Sequence, residues 1–388
     1  MTNKVKVLHY STHNEDCGIG KYNEQFLAAM LETSAESVVN EFFPYSPNVT
    51  KRMSHDEFTK VLKELKRKLR HFDILHIQHE ISFYYHDELG RIVDLAKSMR
   101  KKVVFTVHTA PDAQYKKPGL HGLGPRSAVK FIREIQAARK FTMRHIAPVR
   151  KADLVLVHNS NIMKNLALHG VDINKIKTIP LPVPNVSFSE KSTEIKTALN
   201  YKKGDVIIGT VGFVSKTKGV LQSVKSLLYL PDNYKLAIIG GVHPSGGGEE
   251  YLDKISDLIV KQGLRDRVYI TGYVQEDNRL NALVRECDAC VYPYDNQYYK
   301  YVSSAALNNS IANHVPAVVY PTVPFIEMNT GGTIAICKSA NYYELARYVI
   351  EADYELLTKR SEEYADKYSY INESLRLVGI YKMLAGSR

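Results

Sequence analysis

Two glycines, one residue apart, follow the first apolar run of the chain. Gly18 and Gly20 lie in CGIGKYNEQF, between a predicted strand at Val5–His9 and a predicted helix at Tyr22–Leu31. Glycine permits positive φ and a close approach of a ligand to the backbone, and the N-terminus of a helix favours anions. The stretch lacks the third glycine of a full dinucleotide-binding motif. An ordinary tight turn and a phosphate-binding loop therefore both remain open, and we expect no role for the neighbouring Cys17.

Two lysines follow another apolar run in the second half of the chain. Lys216 and Lys218 lie in GTVGFVSKTKGV, just past a predicted buried strand at Val206–Phe213. A lysine in this place can project into a ligand site and meet phosphate oxygens as a point charge. The alternative for each of them is a solvated surface lysine.

A third stretch predicts a helix start suited to a diphosphate. In YVSSAALNNSIANHVPAVVY, Ser303 or Ser304 is placed to cap the predicted helix. A serine hydroxyl in the cap accepts a hydrogen bond from a first-turn amide. The amides of Ala305 and Ala306 then stay exposed to an anion.

The pattern of apolar runs predicts two doubly wound α/β domains. Short β-rich runs alternate with helical patterns, which is typical of parallel sheets with helices on both faces. The stretch TIPLPVPNVSFSEKSTEIK, interpreted as a linker, separates two such series. Ligands in such sheets bind at the carboxyl ends of the strands. The predicted strands are Val5–His9, Val38–Phe43, Asp73–Gln78, Val103–His108, Leu154–His158, Val206–Phe213, Lys235–Gly240, Val268–Tyr273, Cys290–Tyr294, Ala317–Tyr320 and Thr333–Cys337.

The composition is that of a globular protein with anionic partners. Hydrophobic residues make up 44% and charged residues 24% of the 388-residue chain, and the formal net charge is +11. No apolar run approaches the roughly 20 residues of a membrane-spanning helix, so we expect a cytoplasmic protein. The basic excess collects in residues 57–70 and 116–151, which are either solvated helix surfaces or a face for an anionic membrane or acceptor. No nucleic-acid-binding motif accompanies them, and we expect no nucleic-acid partner.

The order of these and other motifs resembles the GT-B fold glycosyltransferases of family 4. The resemblance covers nearly the whole chain, from CGIGKY through FTVHTAP, ADLVLVHNS, IIGTVGFVSKTKG, VYITGYV and CDACVYPY to SSAALNNSIANHVPAVV and the tail YSYINESLRLVGIYKML. It implies two Rossmann-like domains that face a central cleft. The acceptor-binding domain would comprise residues 1–185 and the nucleotide-sugar-binding domain residues 186–366. A C-terminal helix at 367–388 would return to the first domain.

The resemblance implies transfer of a sugar from a nucleoside diphosphate sugar to an acceptor, with retention of the anomeric configuration. The donor is a co-substrate, and neither a metal ion nor another cofactor is implied. Together with the basic first half of the chain, the resemblance favours a glycan or lipid-linked acceptor, as in polysaccharide or glycolipid biosynthesis. The protein would then lie in the cytoplasm, attached peripherally to the inner membrane face.

The resemblance also implies roles for individual positions. Lys218 would neutralise the donor diphosphate, and His108, in TVHT, would face the reacting centre and orient the sugar or the acceptor. Tyr273 and Val274 would contact the nucleobase. The implied donor-binding positions together are Gly18, Gly20, Lys216, Tyr273, Val274, Ser304, Ala305 and Asn309.

Two features depart from the family pattern. A pair of glutamates is missing, since the second falls on Asn309 and the first on Tyr301 or Gln297. Phe213 stands where the family has an arginine, and Lys216 is the candidate to replace its charge. These departures leave two other classes open. One is another enzyme on the same fold, such as a nucleotide-sugar epimerase or a phosphorylase, and the other is a non-catalytic binding subunit.

Overall fold

Parallel strands separated by helices build two six-stranded sheets. The structure, a computed structural model, describes residues 4–13, 15, 17–110, 125–243 and 246–386. The chain divides into two compact units. Unit 1 comprises Met1–Pro180 and Tyr370–Arg388, and unit 2 comprises Leu181–Ser369.

Unit 1 contains the first sheet. Its strands are β1 (Val5–Tyr10), β2 (Val38–Phe42), β3 (Ile74–His79), β4 (Lys102–Val107), β5 (Leu154–Val157) and β6 (Ile176–Thr178). They pair in parallel in the order β2-β1-β3-β4-β5-β6. The five strands predicted in this half are confirmed within one residue at each end. The sequence pattern misses β6, because only Ile176 of its three residues is buried.

The described residues of the first half of the chain form seven α-helices around these strands. They are α1 (Gly18–Ser34), α2 (Pro47–Thr50), α3 (His55–Leu69), α4 (Glu88–Ser98), α5 (Pro125–Phe141), α6 (Ala147–Arg150) and α7 (Ser160–Leu168). A π-helical turn at Thr142–Ile146 joins α5 to α6. Local sequence determines where α3 begins and which face it buries. Ser54 and Glu57 form a reciprocal cap at its start, and its apolar stripe is buried.

The first helix begins earlier than the sequence predicts. It starts at Gly18 rather than Tyr22, so Gly18 and Gly20 belong to its first turn and not to a preceding loop. Neither glycine has a positive φ, so the expectation that they serve left-handed backbone is wrong. Cys17, for which the sequence suggests no role, is the N-cap, and its sulfur accepts a hydrogen bond from the amide of Gly20 at 3.2 Å.

Unit 2 contains the second sheet. Its strands are β7 (Val206–Val211), β8 (Tyr234–Ile239), β9 (Val268–Ile270), β10 (Ala289–Tyr292), β11 (Ala317–Val319) and β12 (Ala335–Ile336). They pair in parallel in the order β12-β11-β10-β7-β8-β9. All six predicted strands are present, but several end earlier than predicted. Gly212, Gly240 and Gly272 have positive φ and turn the chain out of the sheet after β7, β8 and β9.

In the described part of the second half, nine further α-helices follow. Those of unit 2 are α8 (Glu194–Ala198), α9 (Val220–Ser226), α10 (Glu249–Lys261), α11 (Asp277–Val284), α12 (Ala305–Ala312), α13 (Val323–Met328), α14 (Tyr342–Glu351) and α15 (Tyr354–Lys367). The last helix, α16 (Tyr370–Gly386), belongs to unit 1. Within the described ranges, every helix is too short or too polar to span a membrane.

The helix α16 packs against α1 and the first sheet, which confirms the predicted return of the chain. The ring of Tyr370 meets Phe26 edge-on at a centroid distance of 5.1 Å. The hydroxyl of Tyr381 is hydrogen-bonded to Nδ1 of His76 on β3 at 2.6 Å. Both tyrosines are buried, so α16 contributes to the core of unit 1.

Candidate functional site

The strand order of unit 2 creates a switch point between β7 and β10. The chain winds outward in opposite directions from this point, so the loops after β7 and β10 diverge at the carboxyl edge and leave room for a ligand. The loop after β7 contains a 3₁₀ turn at Lys216–Lys218, and the connection after β10 leads into α12. The two lysines and the helix start noted in the sequence therefore lie at the same edge of one sheet.

Glycines let the loops at this edge touch backbone to backbone. A Cβ on Gly240 would lie 2.1 Å from the carbonyl oxygen of Gly212, and one on Gly219 would lie 1.9 Å from that of Pro293. The amide of Gly212 also donates to the carbonyl of Ile239 at 2.9 Å. These contacts hold together the loops after β7, β8 and β10. A side chain at Gly219 or Gly240 would force them apart.

Lys218 is a half-buried cation beside these glycines. A Cβ on Gly212 would lie 2.3 Å from Nζ of Lys218, and this ammonium lies 5.9 Å from the centre of the Phe213 ring. No carboxylate in the described part of the chain offsets the loss of water around the ammonium, which lowers the pKa of Lys218 from 10.5 to about 8. A desolvated charge without a partner is unfavourable, and a bound anion would stabilise it.

An aromatic pair adjoins Lys218. Phe213 stacks on Tyr273 with ring centroids 5.7 Å apart and 10° between the ring planes. The centroid of the His243 ring lies 4.4 Å from that of Phe213. Tyr273 is 37% exposed, whereas Val274 is half-buried and packs against the core. The pair forms a flat surface next to the cation, of the kind on which a planar ligand stacks. Sequence reasoning missed it, because the two rings follow different strands.

The N-terminus of α12 is capped by Ser304, one of the two serines that the sequence allows for this role. The Ser304 hydroxyl accepts a hydrogen bond from a first-turn amide at 3.2 Å and lies 3.1 Å from the hydroxyl of buried Tyr294. The amide of Ala305 precedes the first intrahelical hydrogen bond and has no acceptor within the helix. Asn309 lies one turn further along and is half-buried. The cap leaves an amide dipole directed at the carboxyl edge of the sheet.

Asn308 fixes the position of α12 from the opposite side. Its side-chain amide donates to the carbonyl oxygens of Leu181 and Pro182 at 2.8 and 3.0 Å. The sequence does not single out Asn308. Its hydrogen bonds nevertheless connect the predicted linker to the helix that carries Ser304. The only signal is an asparagine at a position of α12 that would otherwise be apolar.

The switch point of unit 1 lies between β1 and β3, and the glycine pair follows β1. A Cβ on Gly20 would lie 3.1 Å from the carbonyl oxygen of Glu15, whereas one on Gly18 would meet no atom within 4 Å. Packing therefore favours glycine at position 20 and leaves the space beside Gly18 open. Open space beside the first amides of a helix, at a switch point, suits an anionic ligand.

His108 lies directly after β4 and is buried in a hydrogen-bonded chain. Its Nε2 lies 2.8 Å from Oε1 of Gln78, and its Nδ1 lies 3.0 Å from Nε2 of His158. Nδ1 of His158 lies 3.0 Å from the carbonyl oxygen of Ile179. Tyr22 packs edge-on against both imidazoles, with centroid distances of 5.0 and 5.5 Å. Both nitrogens of His108 are thus engaged within unit 1.

The carbonyl of Ile179 determines which nitrogens of His158 and His108 carry the protons. A carbonyl only accepts, so His158 donates from Nδ1 and accepts at Nε2, and His108 likewise donates from Nδ1 and accepts at Nε2. Oε1 of Gln78 faces Nε2 of His108, so this tautomer requires the Gln78 amide in the orientation rotated by 180°, with its NH₂ group toward His108. Burial lowers the pKa of His158 to about 4 and that of His108 well below its usual range. His108 is therefore neutral at pH 7, and its role at the reacting centre stays a prediction.

The residues singled out from the sequence fall into two groups. Unit 2 places on its loops and on α12 the residues Lys216, Lys218, Tyr273, Val274, Ser304, Ala305 and Asn309, and unit 1 holds Gly18, Gly20 and His108. Lys216 is exposed, unlike Lys218. Among the described residues, no three side chains of His, Cys, Asp or Glu are placed to hold a metal ion.

Several solved structures have similar folds over nearly the whole chain. HepE from Anabaena in complex with UDP-glucose has a TM-score of 0.68 and 12% identity, over 97% of this chain and 99% of that one. Sucrose-phosphate synthase from Thermosynechococcus elongatus has a TM-score of 0.69 and 16% identity, over 99% and 100%. WaaG, a glycosyltransferase involved in lipopolysaccharide biosynthesis, has a TM-score of 0.60 and 13% identity, over 97% and 99%.

Two family profiles match consecutive parts of the sequence. Residues 29–185 match Glycosyltransferase Family 4, and residues 191–367 match Glycosyl transferases group 1. No curated protein sequence matches the chain. Because the two profiles together span most of the chain in the expected order, it belongs to the group 1, family 4 glycosyltransferases with the GT-B fold.

Proposed function

We propose that this chain transfers a sugar from a nucleoside diphosphate sugar to a glycan or lipid-linked acceptor, with retention of the anomeric configuration. Unit 2 binds the donor and unit 1 binds the acceptor. The observation that carries the proposal is Lys218, a desolvated cation at the switch point of unit 2. HepE from Anabaena is solved with UDP and with UDP-glucose, so a UDP-sugar is the first donor to test.

Each part of such a donor has a partner of matching chemistry in unit 2. The diphosphate pairs with the ammonium of Lys218 and accepts a hydrogen bond from the amide of Ala305. The nucleobase lies against Tyr273 and the backbone of Val274. Asn309 offers a hydrogen bond to a ribose hydroxyl, without the charge that a glutamate would bring.

Catalysis in this proposal rests on positioning and on charge stabilisation. The bond between the sugar and the diphosphate breaks, and negative charge grows on the departing diphosphate oxygen. Lys218 and the N-terminus of α12 stabilise that charge more strongly than they stabilise the intact donor. The acceptor oxygen forms the new bond on the same face of the sugar, and its proton passes to the departing diphosphate.

His108 contributes to this scheme as a neutral hydrogen-bonding group. Its Nδ1 donates to His158, and its Nε2 is held by Gln78. His108 therefore reaches a sugar hydroxyl only after the amide of Gln78 has turned away. His108→Ala is expected to lower kcat while nucleotide binding stays unchanged, because the residue belongs to unit 1.

We further propose that the acceptor is presented at the cytoplasmic face of a membrane, to which the protein attaches peripherally. The net charge of +11 supports an anionic surface as partner, and WaaG is a relative by fold that is involved in lipopolysaccharide biosynthesis. Sucrose-phosphate synthase has the same fold, so a small soluble acceptor is the contrary outcome. Full activity on such an acceptor, without binding to anionic vesicles, would contradict this part of the proposal.

A thermal-shift panel of UDP, GDP, ADP, CMP and dTDP tests the donor site. A ligand at 100 times its dissociation constant stabilises the folded protein by about 2.7 kcal/mol. We expect one nucleotide to raise the Tm of the wild type and to lose this effect in Lys218→Met. Lys203→Met is the matched control, because Lys203 is exposed and precedes β7 at the opposite edge of the same sheet.

The same panel separates the alternatives. If no nucleotide shifts the Tm, the donor site is lost and the chain is a binding subunit, in keeping with the missing glutamates. If a nucleotide binds, incubation with the matching nucleotide sugar and no acceptor distinguishes an epimerase from a transferase. An epimerase would interconvert the donor under these conditions, and a transferase would leave it intact.

A further inference from the structure

The helix α5 is unlike the other helices of unit 1, because its described side chains are at most half-buried. None of the described side chains from 126 to 141 is buried. Val129, Ile132, Ile135 and, in the π-helical turn that follows, Met143 are each between 42% and 64% exposed. Large apolar side chains are thus presented to solvent along the length of a helix.

These apolar residues form one stripe, and basic residues accompany it. At about 100° per residue, Val129, Ile132 and Ile135 fall within about 120° of arc. The only acidic residue of the helix is Glu134, and its five basic residues are Arg126, Lys130, Arg133, Arg139 and Lys140. Apolar residues flanked by lysine and arginine are the composition of a helix that lies in a membrane interface. The earlier part of this basic stretch, 116–124, lies outside the described residues.

The C-terminal end of α5 is anchored in unit 1. The π-helical turn buries His145 and Ile146, and α6 buries Pro148 and Val149. The ring of Phe141 packs on His145 at a centroid distance of 4.7 Å. The helix is therefore fixed at one end to the unit that we assign to the acceptor, and its apolar stripe is exposed to solvent.

We propose that the exposed stripe of α5 docks on an anionic lipid surface, with Ile132 among the headgroups and the basic residues against the lipid phosphates. Charge complementarity selects this occupant, since the helix that carries the stripe has five basic residues and one acidic residue. The other basic helix, α3, is not a candidate for docking on lipid. It buries Phe58 and Leu65 inside unit 1, so its solvent-facing side is basic without a large apolar stripe. That docking brings the enzyme to its acceptor rests on the proposed function. Docking itself requires no nucleotide.

A tryptophan probe tests the proposal directly, because the chain contains no tryptophan. Ile132→Trp places a single indole on the stripe, and Lys63→Trp places one on the exposed face of α3 as the matched control. With phosphatidylglycerol vesicles we expect the emission of Ile132→Trp to shift to shorter wavelength and that of Lys63→Trp to stay unchanged. Phosphatidylcholine vesicles should shift neither. An unshifted Ile132→Trp, or an equal shift in both variants, would overturn the proposal.

Charge removal tests the basic flank in the otherwise native chain. At about 1 kcal/mol per basic residue near an anionic surface, Arg133→Gln with Lys140→Gln should weaken co-sedimentation with phosphatidylglycerol vesicles about 30-fold at low salt. The matched pair Lys63→Gln with Lys66→Gln should weaken it less than about threefold, since α3 is not the docking helix. Equal losses in both pairs would mean that net charge alone drives binding, and the proposal would be wrong.

A second copy of the chain is the competing occupant of the stripe. Sedimentation velocity without vesicles decides this point: a wild-type dimer that becomes a monomer in Ile132→Glu would overturn lipid docking. All substituted residues are exposed, so thermal melting should show unchanged folding in every variant. Vesicle binding is measured without nucleotide, and the thermal-shift panel without vesicles. A failed docking proposal is therefore distinguishable from a failed donor site.

Discussion

Replacing Lys218 with methionine should stabilise the free protein while it abolishes nucleotide binding. Methionine keeps an unbranched side chain of similar length, with sulfur in place of Cδ, and lacks the ammonium. In the native protein this ammonium is desolvated beside Gly212 and Phe213, with no carboxylate partner in the described part of the chain. A residue that costs stability in the free protein and stabilises an anionic complex is a ligand-binding residue, and the substitution separates these two effects.

The size of the stability gain follows from the pKa of Lys218. A pKa lowered from 10.5 to about 8 corresponds to about 3 kcal/mol of unfavourable free energy in the charged form. The side chain is half-buried, and the remaining contact with water reduces this figure. We therefore expect Lys218→Met to gain about 1–2 kcal/mol, which raises the Tm by about 3–6 °C for a domain of this size.

The gain should depend on pH with a definite sign. Between pH 8 and 10.5 the unfolded chain holds a proton on Lys218 that the folded chain has lost, so wild-type stability rises with pH across this window. The advantage of Lys218→Met is therefore full below pH 8 and disappears by pH 10.5. Nucleotide binding to the wild type should weaken about tenfold from pH 7 to pH 9, as Lys218 loses its proton.

Differential scanning calorimetry at pH 7 and pH 10, with and without the nucleotide selected by the panel, measures both effects. Lys203→Met serves as the exposed control and should leave the Tm and nucleotide binding unchanged. A gain of Lys218→Met that is equal at both pH values would show that methionine merely packs better. A variant that is no more stable than the wild type and still binds nucleotide would refute the assignment of Lys218.

Three other substitutions and one change of pH test the framework around the sites. Gly219→Ala should destabilise unit 2 by about 2 kcal/mol or more, because its φ of +68° and a close carbonyl exclude a Cβ, whereas Gly18→Ala should leave the Tm unchanged or higher in thermal melts. Asn308→Leu should cost about 1–3 kcal/mol in urea unfolding, because it removes the donor to the buried carbonyl of Pro182 and to the partly buried carbonyl of Leu181. Burial lowers the pKa of His9 and His158 from 6.5 to about 4, so the stability of unit 1 should fall as the pH drops through this range. Calorimetry at pH 5 that showed no earlier melting of unit 1 would contradict this expectation.

Local sequence patterns predicted most of the elements of this protein. The apolar run at β7 indicates a buried strand wherever its partners lie, and Ser304 caps α12 through an amide of the helix's own first turn. Such signals depend on residues within one or two turns, so the sequence alone carries them. The start of α1 was predicted four residues too late, because a cysteine is an uncommon N-cap and gives no local signal for a helix start.

The environment of each candidate residue was decided by tertiary structure alone. The pKa of Lys218 depends on the neighbouring loops that glycines allow to touch. His108 is neutral because the fold buries it, beside His158, which lies 50 residues away in sequence. The outward stripe of α5 has the same apolar periodicity as a buried helix face, and only packing distinguishes the two. Contacts between distant segments follow from the order of strands in a sheet, and that order is a property of the whole chain rather than of any stretch of it.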